Sequence, residues 1–75
     1  MEIHLNNILV FATNIKTETD RQKVSTILNE ISDIYQWNID QEDVDCVLRI
    51  VSNSLSEQQI IKLIDAQNFE CTVLE

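Results

Sequence analysis

The spacing of apolar residues switches between a strand period and a helix period along this chain, and the order of the switches leaves few folds open. Residues 8–13, Ile-Leu-Val-Phe-Ala-Thr, form a short run rich in β-formers, closed by Asn14. From Thr17 the period lengthens. Val24, Ile27, Leu28 and Ile31 recur at three- and four-residue steps with Arg21, Lys23, Asn29 and Glu30 between them, which predicts a helix over residues 18–32. Period two returns in Tyr35, Trp37 and Ile39, alternating with Gln36, Asn38 and Asp40, and predicts a second strand. The polar stretch Asp40-Gln41-Glu42-Asp43 reads as a turn. After it, Cys46, Leu48 and Ile50 alternate with Val47, Arg49 and Val51 as the third strand of a hairpin.

Ser56 followed by Gln59 matches a helix-starting box, and Ile60, Leu63 and Ile64 supply the apolar face of a second helix that stops near Gln67. The chain has no glycine, so Asn68 is the residue placed to take the left-handed conformation at that helix end. Phe69, Cys71 and Val73 then alternate as a fourth strand. The order βαββαβ is the ferredoxin-like α+β pattern. Right-handed crossovers put both helices on one face of an antiparallel sheet of order 4-1-3-2 and leave the other face uncovered.

A length of 75 residues predicts one domain over residues 1–75. At that size folding buries only about 60% of the surface the unfolded chain exposes. With 13 acidic against 5 basic residues the net charge of −8 repels phosphate backbones and anionic lipids, so neither nucleic acid nor membrane is expected as a partner. No segment approaches the ~18 apolar residues of a membrane span, and no leader pattern opens the chain; a soluble, cytoplasmic protein is expected. The two cysteines, Cys46 and Cys71, lack a framework spacing, which suits a reducing compartment.

Residues 8–74 resemble heavy-metal-associated (HMA) domains, the family of copper chaperones and of the N-terminal modules of copper-transporting ATPases. The resemblance rests on Val10-Phe11-Ala12, on Val24, Leu28 and Ile31, and on Trp37-Asn38-Ile39-Asp40. It continues through Val47-Leu48-Arg49-Ile50, Ile60-Ile61-Lys62-Leu63-Ile64 and Asn68-Phe69-Glu70-Cys71. It implies the same ferredoxin-like fold and a Met-x-Cys-x-x-Cys loop before the first helix. Laid on this chain, that loop puts Ile15 at the methionine, Thr17 at the first cysteine and Asp20 at the second. A hydroxyl and a carboxylate are hard ligands, poorly suited to Cu(I). The motif is degenerate, and the family's metal chemistry does not carry over through it.

The same residues have a local explanation. Thr17-x-x-Asp20 has the spacing of a capping box, with the carboxylate at the positive end of the helix dipole. Asp40, Glu42, Asp43 and Asp45 crowd one hairpin at the same end of the domain, but no Asp-x-Asp-x-Asp-Gly loop is present. They are expected to form a solvated acidic end that steers a basic partner. Cys46 and Cys71 should lie about two strand spacings apart, ~9.6 Å, too far for a disulfide, as buried core thiols. His4 stands in a polar tail without a nucleophile or carboxylate at a recognisable spacing, and is expected in solvent. Trp37 is expected to pack under a helix on the face of Tyr35 and Ile39.

Strand alternation is read as sending Leu9, Phe11, Val47 and Val51 away from the helices, with Arg49 among them. An apolar patch of that kind marks pairing with a second copy or with a protein partner. The chain is therefore expected to be a non-catalytic binding module without cofactor or metal. The rival readings are a Cu(I) or Zn(II) chaperone using other ligands and, behind it, a small-molecule regulatory domain on the same fold.

Overall fold

A computed structural model describes residues 8–74. The elements run β1 (Ile8–Thr13), α1 (Glu18–Asn29), β2 (Gln36–Asp40), β3 (Val47–Val51), α2 (Glu57–Asp65) and β4 (Cys71–Val73). The strands form one sheet of order β2-β3-β1-β4, with every neighbouring pair antiparallel. This is the ferredoxin-like arrangement the periodicity predicts. His4 lies outside the described residues. Among those residues no helix is long and apolar enough to cross a membrane.

One core lies between the sheet and the two helices. Val24 and Leu28 of α1 and Ile60 and Ile64 of α2 cover Phe11, Leu48, Ile50 and Ile39 of the sheet. Phe11, on a central strand, is 0% exposed, and burial of a side chain that large contributes about 1.5–3 kcal/mol. Residues paired across the ladder share a face. Leu9 opposes Ile50 and Phe11 opposes Leu48, so both β1 residues turn toward the helices.

That overturns the expected placing of Leu9 and Phe11 on the uncovered face. β1 is apolar at five successive positions, Ile8 to Ala12, so alternation carries no phase there, and pairing with β3 decides which side is in. The β1 residues of the uncovered face are Ile8, Val10 and Ala12. Ile8 and Val10 are matched with Val51 and Arg49 of β3 and with Gln36 and Asn38 of β2. Val47 is on that side by register but only 3% exposed, so it is no part of an accessible patch.

Several boundaries also move: β3 begins at Val47 and not at Cys46, and β4 at Cys71 and not at Phe69. Helix α1 ends at Asn29 and not at Ser32, because the amides of Glu30 and Ile31 bond i−3 to Ile27 and Leu28 at 3.2 and 3.3 Å, tightening the last turn. The redirected chain buries Ile34, whose amide bonds to the Ile31 carbonyl. Tyr35, expected to face inward in the second strand, is instead outside β2 and 61% exposed, its hydroxyl accepting from Asn53. Trp37 is half-buried against the core. Its Nε1–H donates to Asn29 Oδ1 at 2.9 Å, and the Arg21 guanidinium lies 5.6 Å from its ring centroid.

Candidate functional site

Three connections meet at one end of the sheet: the β1–α1 loop, the β2–β3 turn and the α2–β4 loop. The first presents the start of α1. Thr17 is extended, with φ −111° and ψ 164°, as an N-cap must be, and its Oγ1 accepts from the Asp20 amide at 3.0 Å. Asp20 Oδ2 reaches back to accept from the Thr17 and Lys16 amides, both at 3.3 Å. Both side chains are therefore engaged with backbone donors that the helix start would otherwise leave orphaned. Ile15, just before them, is 0% exposed and anchors the loop in the core.

The other two connections hold this loop from outside. The Gln41 amide Nε2 donates to the carbonyls of Thr17 at 2.9 Å and Ile15 at 3.4 Å. Asn14 Oδ1 accepts from the Glu70 amide at 2.8 Å. Thr13 Oγ1 donates to the Cys46 carbonyl at 2.7 Å and accepts from the Ile15 amide at 3.2 Å. The sequence places Thr13 and Asn14 at the end of a strand and Gln41 in a turn without giving any of them a partner. Their only sequence signal is polarity at the ends of apolar runs, which does not name a partner 26, 33 or 56 residues away.

The acidic residues of the turn also serve backbone. Asp40 Oδ1 accepts from the Glu42 amide and Asp43 Oδ1 from the Asp45 amide, the geometry of turns closed by aspartate side chains. Asp40, Glu42, Asp43 and Asp45 are exposed, and Val44 between them is 90% exposed. At the base of the turn Cys46 takes φ 44°, a left-handed conformation costing a non-glycine residue about 1–2 kcal/mol. Bonds from its amide to the Asp43 carbonyl, at 2.9 Å, and from Thr13 to its own carbonyl hold it there.

The two thiols flank β1. Cys71 pairs with Thr13 from β4, while Cys46 meets Thr13 from the β3 side, and both are buried and free. Cys71 belongs to the helix-side core; Cys46, 4% exposed, lies outside that cluster. Burial pushes the Cys71 thiol up to about 11 from an ordinary 9.0, which disfavours the thiolate a soft metal needs. Among the described residues no group of three or more His, Cys, Asp or Glu side chains is placed to hold a metal ion.

No family model and no curated protein sequence matches this chain. Its fold does match solved structures. A chain of the Atx1-Cu(I)-Ccc2a complex superposes with a TM-score of 0.78 at 16% identity, covering 91% of this chain and 94% of that one. The yeast copper transporter domain Ccc2a, determined in apo and Cu(I)-loaded states, superposes with a TM-score of 0.77 at 15% identity, covering 92% and 96%. At such identities the likeness establishes the fold: two helices over a four-stranded antiparallel sheet, shared with these copper-protein domains.

Proposed function

We propose that residues 1–75 form a single HMA-like module that binds a protein partner without catalysis and without a bound metal or cofactor. The observation that carries this reading is the closed capping box. Thr17 and Asp20, at the degenerate motif positions beside Ile15, spend their oxygens on the amides of Lys16, Thr17 and Asp20. The partner meets the sheet face turned from the helices, where Ile8 is 43% exposed and Val10 and Val51 are half-buried around Arg49. The acidic end, Asp40, Glu42, Asp43 and Asp45, steers a basic partner toward it at long range. A cytoplasmic setting suits two unpaired thiols.

The test is a titration of Cu(I) and of Zn(II) into the reduced protein beside a variant carrying Cys46→Ser and Cys71→Ser. The expected result is the same weak, unsaturable uptake by both proteins. Tight uptake that vanishes in the double variant would overturn this reading in favour of a metal chaperone with relocated ligands.

A further inference from the structure

The sheet ends at β2 on one side and at β4 on the other. β4 has three residues, whereas β2 runs for five in unbroken register with β3. Exposed strand edges are ordinarily blunted by lysine, proline or a bulge. The segment Gln36–Asp40 holds no lysine or proline, its one charge is Asp40 at its end, and among the described residues no strand lies outside it.

The groups β2 presents outward follow from the ladder. The Leu74 amide donates to the Val10 carbonyl at 3.0 Å, so Val10 directs its backbone toward β4, and its neighbours Leu9 and Phe11 direct theirs toward β3. Leu48 and Ile50 thus direct their backbone groups to β1, and Val47, Arg49 and Val51 direct theirs to Asp40, Asn38 and Gln36; the Val51 carbonyl also accepts from the Tyr35 amide at 2.9 Å, a bulge-like step that closes β2 at that end. The N–H and C=O groups of Trp37 and Ile39 are left pointing out of the sheet.

We propose that β2 pairs antiparallel with β2 of a second copy of this chain, about a two-fold axis through Asn38. This register sets Trp37 against Ile39 of the other copy, and Ile39 against its Trp37, so each exchanges both backbone bonds and every outward group of the two residues is satisfied. The side chains agree with it on both faces. Trp37 and Ile39 form an apolar cross-strand pair on the helix side, while on the other side the Gln36 amide lies opposite the Asp40 carboxylate. Asn38, exposed, meets its own counterpart on the axis at the closer spacing of a non-hydrogen-bonded pair, about 4.5 Å between Cα atoms.

Charge selects the same arrangement. Two copies each carrying −8 associate only where their carboxylates stay apart. Asp40 is the one charged residue of β2, and an antiparallel pair carries the two acidic turns to opposite ends of the joined strands. The edge is distinct from the uncovered face of the sheet, so this pairing stands or falls separately from the partner-binding reading above.

The experiment follows mass by sedimentation velocity, and emission from Trp37, the only tryptophan, over one dilution series. The wild-type chain is expected to pass from dimer to monomer on dilution, with the emission changing over the same range. Asn38→Asp and Asn38→Lys, which place like charges face to face on the axis, should each weaken the dimer at least about ten-fold. An equimolar mixture of the two variants should recover a heterodimer, and Thr72→Glu, exposed on β4 at the opposite edge of the sheet, should leave the dimer as in wild type. A wild-type mass that stays monomeric at every concentration would overturn the proposal. So would Asn38 variants that pair as tightly as wild type, a mixture that stays monomeric, or a dimer lost in Thr72→Glu.

Discussion

The chain starts a helix twice, and the two starts are built alike where they touch the backbone and differently where they touch the rest of the protein. At α1, Thr17 accepts from Asp20 and Asp20 answers to Thr17; at α2, Ser56 Oγ accepts from the Gln59 amide at 3.2 Å and Gln59 Oε1 accepts from the Ser56 amide at 2.8 Å. The start of α2 is an ordinary surface cap preceded by half-buried Leu55. The start of α1 has a wholly buried Ile15 before it, a cross-brace from Gln41 and a tie from Asn14 to Glu70. The difference teaches that the α1 mouth keeps its position through tertiary contacts, while its cap chemistry is of the common kind. The α1 mouth is thus positioned by contacts from distant loops, the α2 mouth by its own cap.

The comparison breaks most readily at the anchors. Ile15→Ala should destabilise the protein by about 2–5 kcal/mol, the usual cost of emptying a fully buried aliphatic site, and Leu55→Ala by clearly less. Urea titrations of the two variants measure this, and equal losses would remove the asymmetry. A second difference is chemical, since Thr13, just before the α1 loop, pairs with the buried thiol Cys71. The Cys71 pKa rises on folding from 9.0 to about 11, so the folded state holds the proton more tightly. The contribution of this thiol to stability is fully present below pH 9 and is lost as pH climbs through 9 to 11, by about 2 kcal/mol at pH 11. Denaturation at stepped pH should show this decline in the wild type and lose it in Cys71→Ser.

The smallest effect tests the likeness and not the difference. Thr17→Ala and Ser56→Ala should each cost about 0.5–2 kcal/mol, because each removes one acceptor from an N-cap. Comparable losses in the same urea titrations would sharpen the conclusion that both mouths are caps. A Thr17→Ala variant as stable as wild type would show that the α1 box contributes nothing, and the closed-cap argument would fail with it.

How far the sequence could be read follows from the range of each interaction. Both capping boxes were legible because cap and responder sit three residues apart. Asn68 was legible because a chain without glycine has few residues that tolerate φ 68°. The in-out phase of β1 was not legible, since Ile8 to Ala12 are all apolar and only the pairing of Phe11 with Leu48 breaks the tie. The left-handed Cys46 was equally hidden, as nothing in a cysteine asks for that conformation and the bonds that impose it come from Asp43 and from Thr13, 33 residues away.

By itself, then, the sequence determined the order of elements, both helix starts and the absence of sulfur from residues 14–20, because each is written in residues a few positions apart. Tertiary structure alone decided which side of β1 faces the helices, how Gln41 and Asn14 bind the loops into one end, and which backbone groups β2 leaves unpaired. Those depend on register between distant segments, and register is a property of the whole packed sheet that no local pattern contains.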